Sequence, residues 1–119
     1  MNLGPFYVNL INLTPHPIVL NDGRSFAPSG AVARVSEVHH LVNHFTDPQT
    51  EAYTPVFRGV PSAVTGLPEP VADTYLIVSA MVLAALRGTR DDLVAPSTGL
   101  ASTVRNDAGH IVSVEGFVV

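Results

Sequence analysis

Polar side chains that could bind an anion are concentrated at two places in this chain. Near the N-terminus, Asn12, Thr14 and His16 stand at alternate positions, and Pro15 and Pro17 restrict the backbone on either side of His16. A stiff backbone holds side chains in place, so less entropy is lost when a ligand binds. The second group lies in the C-terminal half and consists of Arg90, Asp91, Asp92, Thr98 and Arg105.

We expect these two groups to line opposite sides of one pocket for a small anion. Arg90 and Arg105 bracket a loop rich in Ser, Thr and Gly that contains Thr98, and two guanidinium groups can converge on one phosphate or carboxylate. Asp91 and Asp92 would orient the arginines or bind hydroxyl groups of the ligand. The alternative is that the N-terminal side chains bind backbone groups in a proline-bound turn while the arginines are solvated.

Ser79 is a further candidate for the ligand site because it stands where a strand leads into a helix. Free N–H groups at such a position can hold an anion, although capping of the helix is the simpler interpretation. The sequence Val78-Ser79-Ala80 lacks the glycines that flank a nucleophilic serine. We therefore predict no catalytic residue.

His39, His40 and His44 resemble part of a metal site. On a helix, His40 and His44 would share one face, and His16 or an acid would have to supply a third ligand. No acidic residue stands between them, as it does in the metalloprotease helix. We predict neither a metal nor a cofactor.

The element expected to organise the fold is a strand, a helix and a second strand between residues 73 and 96. Residues 74–78 form an apolar run typical of a strand covered on both faces. Ser79 is placed to cap a buried helix over residues 80–87, and Gly88 is placed to end it. Residues 93–95 then form the second strand.

The other segments predict mainly short strands. We expect a strand at 6–14, hairpins around 21–23 and 106–109, a strand at 31–36, a short helix or loop at 37–52, and bent edge strands at 54–68. The predicted fold class is α+β: a single β-rich domain over residues 1–119, with short, mostly antiparallel strands and one buried helix.

Composition excludes several classes of partner and site. All six basic residues are scattered arginines and the formal net charge is −4, so duplex nucleic acid and anionic membrane are poor partners. The chain has no cysteine, which excludes disulfides and suits the cytoplasm, and its N-terminus has no signal-peptide pattern. With 46% hydrophobic and 13% charged residues, we expect a homo-oligomer that covers apolar surface and strand edges.

Several short motifs occur in an order that resembles a known group of proteins. These motifs are residues 12–16 (NLTPH), 28–30 (PSG) with 33–35 (ARV), 66–70 (GLPEP), 77–79 (IVS), 90–93 (RDDL) and 105–112 (RNDAGHIV). Together they resemble a family of small uncharacterised proteins of actinobacterial and other bacterial genomes and of their phages. The resemblance implies a phage or prophage setting, with the host cytoplasm as location, and it implies no particular activity.

Two functions from different classes follow from these observations. The first is a non-enzymatic protein that binds a small anionic, nucleotide-like ligand, for example a phage counter-defence protein that sequesters a signalling nucleotide. The alternative is a phage structural or protein-interaction module without a small ligand. A small hydrolase-type enzyme is a third interpretation.

Overall fold

The computed structural model describes residues 7–119, and its core is a four-stranded mixed sheet. In chain order the elements are β1 (Asn9–Asn12), β2 (Ile18–Val19), β3 (Ser25–Phe26), β4 (Arg34–Thr46), β5 (Tyr53–Thr65), β6 (Thr74–Ile77), α1 (Ala80–Ala85), β7 (Leu93–Pro96), β8 (Val104–Arg105), β9 (Ile111–Ser113) and β10 (Phe117–Val118). The sheet has the order β1-β6-β7-β10, in which β1, β6 and β7 are parallel and β10 is antiparallel to β7.

The predicted strand–helix–strand element is confirmed as the centre of the fold. β6 lies between β1 and β7, and Leu76, Ile77 and Val78 are fully or almost fully buried, as expected for an apolar run without polar alternation. The main core cluster combines side chains from the sheet and the helix: Leu13, Ala33, Leu76, Val78, Val82, Leu83, Leu93 and Ala95.

Helix α1 is shorter than predicted and is buried on one side. It ends at Ala85 with Leu86 as its C-cap, two residues before the predicted end at Arg87, and Gly88, which has a positive φ, lies in the turn that follows. Val82 and Leu83 point into the core, whereas Met81 is exposed. With six residues, the helix has room for only one inward-facing turn.

The two predicted hairpins are also present. β2 pairs with β3 through a turn in which Gly23 has a positive φ, and β8 pairs with β9 through a turn containing Gly109. Of the six strand pairs among residues 7–119, four are antiparallel. The β-rich α+β class with one short helix is confirmed. The predicted first strand begins at Asn9, and Phe6 lies outside the described residues.

The prediction of a short helix or loop at 37–52 is wrong, and the edge strands predicted at 54–68 are a single long strand, because both segments belong to one long antiparallel hairpin. β4 and β5 have 13 residues each and pair with each other along their length, with irregularities after Ser36 and after Leu41. Apolar residues occupy both faces of this hairpin, so the sequence has no regular alternation that would indicate a strand. We call residues 34–65 the arm.

The arm makes the molecule elongated. Its base packs on the core through Val35 and Val64, and all residues from 36 to 55 are exposed. The radius of gyration is 18.6 Å, against roughly 13–14 Å for a compact chain of this length, and the extents are 62 × 37 × 30 Å. The arm is therefore a projection from a small body.

Candidate functional site

The N-terminal half of the predicted pocket is a network of hydrogen bonds that are internal to the fold. The Asn12 amide donates to the carbonyl oxygens of His16 (2.8 Å) and Phe26 (3.0 Å), and its Oδ1 accepts from the backbone N–H and the hydroxyl of Thr14 (2.9 and 2.7 Å). Asn12 is only 2% exposed. These bonds occupy the polar atoms of the amide, which fixes the Pro-bound turn as the alternative interpretation proposed.

His16 differs from its two neighbours because its side chain is exposed. Its backbone carbonyl accepts from the Asn12 amide and lies 3.0 Å from the Thr14 hydroxyl oxygen, so the main chain is held while the imidazole faces outward. Of this group, His16 is the residue whose side chain is presented at the surface.

Arg90 and Asp92 form a two-pronged ion pair. Arg90 Nε and Nη2 donate to the two carboxylate oxygens of Asp92 at 2.9 and 2.7 Å, and Nη2 also donates to the carbonyl oxygen of Pro68 at 3.1 Å. The hydrogen bonds from Arg90 lower the pKa of the Asp92 carboxyl, and Asp92 raises the pKa of Arg90. The pair ties the loop before β7 to residue 68, whereas Asp91 is exposed.

The structure does not bring Arg90 alongside the N-terminal group. β1, β6 and β7 run in the same direction, so Asn12 and Ser79 lie at the C-terminal ends of these strands. Arg90 and Asp92 precede β7 and lie at the N-terminal ends of the strands. A four-residue strand spans about 13 Å, which separates the two halves of the predicted pocket.

Thr98 lies near the proline-bound turn and away from Arg90, whereas Arg105 lies in a different turn. Thr98 follows β7, is exposed, and borders a small cavity of about 130 Å³ together with Pro17 and Val112. Arg105 Nη1 donates to the carbonyl oxygen of Gly109 within the β8–β9 turn, at 2.9 Å. Ser97, which precedes Thr98 and was not a predicted site residue, is buried. Its hydroxyl accepts from the N–H of Gly116 at 3.1 Å.

Ser79 caps helix α1, as its position predicted. Its φ and ψ of −67° and 159° are extended, and its hydroxyl accepts from the N–H of Val82 at 3.2 Å. Ser79 and Thr14 border a cavity of about 230 Å³ to which Arg34 also contributes. This is the place where two of the predicted residues meet an arginine.

The three neighbouring histidines lie on the arm and not on a helix. Pairing places His39 and His44 on one face, where His39 contacts Glu37 at 3.4 Å and His44 stacks on Tyr53 with ring centroids 4.9 Å apart. His40, opposite Arg58, is on the other face. In a regular strand His40 and His44 would share a face, but the irregularity after Leu41 places them on opposite faces, so they do not form the pair that a helix would give. Within residues 7–119, no cluster of three acidic or histidine side chains could hold a metal ion.

The feature that the sequence analysis missed is the apolar surface of the arm. Seven large hydrophobic residues on it are more than two-fifths exposed: Val38, Leu41, Val42, Phe45, Tyr53, Phe57 and Val60. Phe45, Tyr53 and Phe57 are exposed by 64, 60 and 55%. Contiguous apolar patches larger than a few hundred Å² are rare on monomers and mark interaction surfaces. The one signal in the sequence was the run of apolar residues on both sides of the Asp47-Pro48 turn.

Comparison of the chain with protein-family models, with curated proteins and with solved structures gave no match. The resemblance to small bacterial and phage proteins therefore stays a prediction. Among the described residues, no helix has the length and apolar character needed to cross a membrane.

Proposed function

We propose that this protein is a non-enzymatic interaction module that assembles with other copies through its arm. This is the second of the two functions considered from the sequence, and it includes the expected homo-oligomer. The observation that carries it is the exposure of Phe45, Tyr53 and Phe57 on a projecting two-stranded ribbon.

The physics of an isolated ribbon supports this proposal. A two-stranded hairpin is marginally stable in water, and it becomes stable when further strands or a packed face are added. Beyond its base the arm has neither among residues 7–119, since β4 and β5 pair only with each other. Its 13-residue strands would be stabilised by a partner that covers them.

The exposed apolar area of the arm is divided between its two faces. Each aromatic side chain can bury about 150–250 Å², so the three that are more than half exposed offer roughly 300–450 Å² in all, with Tyr53 and Phe57 on one face and Phe45 on the other. The four aliphatic residues add to this, against about 800 Å² per partner in a standard interface. The arm therefore supplies part of the contact surface that a stable complex needs, on either face.

An arm-deletion variant tests the proposal. Replacing residues 39–59 by Asn-Gly would close the hairpin between Val38 and Val60, which are paired in the structure. We expect sedimentation velocity to give an oligomer for the full chain at micromolar concentration and a monomer for the deletion variant. Equal sedimentation of the two proteins as monomers would reject the proposed function.

A second candidate function is the binding of a small anionic ligand, which is supported by one observation. Thr14, Ser79 and Arg34 border the same 230 Å³ cavity, where the guanidinium group of Arg34 and the hydroxyl group of Ser79 could donate to an anion, while the Thr14 hydroxyl already donates to Asn12. The test is mass spectrometry of small molecules released when the purified protein is denatured. A nucleotide that is released from the wild type and lost with Arg34→Ala would support this candidate.

A further inference from the structure

We propose that two copies of the chain pair along the outer edges of their β4 strands, antiparallel about a two-fold axis at His40, to form a four-stranded sheet β5-β4-β4-β5. This inference rests on the proposed function and specifies which surface of the arm is used.

The two edges of the arm differ in their hydrogen-bond donors. Proline has no N–H, and it is accommodated in a paired strand where its nitrogen points away from the partner strand. β5 contains Pro55 and Pro61, so its outer edge lacks two donors. β4 contains no proline, and its outer edge keeps a donor at every outward position.

The outward-facing positions of β4 follow from the same prolines. Pro55 is paired with His44, and Pro61 with Glu37, so the backbone groups of His44 and Glu37 also point away from the hairpin. In agreement with this, the N–H of His44 donates to its neighbour Asn43 Oδ1 at 2.8 Å. Alternation makes His39 and Leu41 outward-facing too. These backbone groups are an open edge within the part of the chain that the structure describes.

A two-fold axis at His40, the middle residue of β4, makes this edge complementary to itself. His39 would lie opposite Leu41 of the second copy, and both are outward-facing, so they could exchange two hydrogen bonds. Val42 is the extra residue at the irregularity of β4 and has no partner on β5. Beyond Val42, the pairing with the second copy is therefore shifted by one residue. Glu37 would then lie opposite His44 of the second copy.

Charges in this register are also complementary. Continuing the register by three residues places Arg34, at the base of one arm, opposite Asp47 at the tip of the other. Hydrogen bonds from the N–H groups of Gln49 and Thr50 lower the pKa of the Asp47 carboxyl, so it is ionised at neutral pH. By symmetry each pairing occurs twice, which favours this register over those that oppose like charges.

The paired sheet would also bring the apolar residues of both copies together on its faces. Cα partners in a ladder share a face, so Leu41 and Phe57 lie on one face and Val38 and Val60 on the other. In the four-stranded sheet the same residues of the second copy extend both patches. Three or more strands with an apolar face meet the condition for a stable sheet that the lone ribbon does not.

The test uses single cysteines, because the natural chain has none. At a non-hydrogen-bonded pair on the axis the two Cα atoms are about 4.5 Å apart, which a disulfide can span. His40→Cys should therefore form a linked dimer under mild oxidation. Arg34→Cys should not form one, because the two residues at position 34 would be about twelve residues of 3.4 Å apart along the paired strands, or roughly 40 Å. Asp107→Cys, exposed in the β8–β9 turn, is the control for random collision.

A matched pair of proline variants tests the edge itself. His39 and Gly59 are paired across the arm, so His39→Pro removes a donor from the β4 edge and Gly59→Pro removes one from the β5 edge at the same height. We expect His39→Pro to raise the dimer dissociation constant at least about tenfold, through lost hydrogen bonds, and Gly59→Pro to change it less than about threefold.

The outcomes separate this inference from the proposed function. A dimer that depends on the arm but is linked best through Arg34→Cys, or is weakened most by Gly59→Pro, would overturn the β4 pairing and leave the proposed function intact. A full-length chain that stays monomeric, with no preferred cysteine position, would overturn both.

Discussion

At the residue scale, Asn12 and Arg90, which the sequence placed in a ligand site, form hydrogen bonds that hold parts of the fold together. Asn12 connects the end of β1 to the turn at His16 and to Phe26, and Arg90 connects Asp92 to the carbonyl oxygen of Pro68. In both cases the polar atoms face partners within the fold. The contribution of these side chains should therefore be visible in stability.

Replacement of Asn12 should destabilise the fold. Asn12→Ala would leave the carbonyl oxygens and N–H group that it now binds without partners, at a cost of about 2–3 kcal/mol in the free energy of unfolding. Urea denaturation at neutral pH would measure it. Asn9→Ala, at an exposed position on the same strand, is the control and should cost less than about 0.5 kcal/mol. Equal losses in the two variants would contradict the assignment.

The Arg90–Asp92 pair predicts a specific dependence of stability on pH. Arg90 holds the pKa of Asp92 below the value of about 3.9 that an unfolded chain would have. The stabilisation is therefore present above about pH 4 and is lost as the pH falls through the folded-state pKa. The difference in unfolding free energy between the wild type and Asp92→Asn should be largest at pH 5–7 and shrink below pH 4. Asp91→Asn, at the exposed neighbour, should give a small difference at every pH.

At the scale of elements, helix α1 depends on its cap because it has only six residues. Ser79→Ala removes the acceptor for the Val82 N–H and should cost about 1 kcal/mol. Ser79→Asp keeps an acceptor at the same place and should retain most of the stability. Thermal unfolding of the three proteins would compare them, and a Ser79→Asp variant as unstable as Ser79→Ala would show that capping is not the cause.

The junction between β5 and the loop that follows it requires a glycine. Gly66 has φ +87°, and a Cβ at this position would collide with the carbonyl oxygen of Val32. Gly66→Ala should therefore cost about 2–4 kcal/mol, from the left-handed conformation and the displaced backbone together. Gly99→Ala, where a Cβ would meet open space, should change the unfolding free energy by less than about 0.5 kcal/mol.

How much of these elements the sequence could predict depended on local signals. The strand–helix–strand core, the cap at Ser79 and the turns at Gly23 and Gly109 are encoded within a few residues, and they were predicted. The arm is not, since Pro55 and Pro61 indicate a broken edge strand unless it is known which way their nitrogens point. Likewise, Arg90 and Asn12 were placed in one pocket because the sequence does not give the direction in which β1 and β7 run.

At the scale of the whole molecule, the arm and the body should be nearly independent in stability. The arm contacts the core only near its base, through Val35 and Val64, within the described residues. The variant with residues 39–59 replaced by Asn-Gly should thus unfold cooperatively. At concentrations where the full chain is monomeric, the free energy of unfolding of this variant should be within about 1 kcal/mol of that of the full chain. A variant without a folded core would show that the arm is part of the folding unit.

An open apolar groove of about 510 Å³ lies where this base meets helix α1, bordered by Val35, Val64 and Met81. The joint is therefore open to solvent on this side, while the strands of the arm have 13 residues each, or about 43 Å. A projection held at one end acts as a lever: a tilt of about 10° at the joint would carry its tip roughly 7 Å. The side chains around this groove, and Met81 above all, consequently set the reach of a surface that lies tens of ångströms away from them.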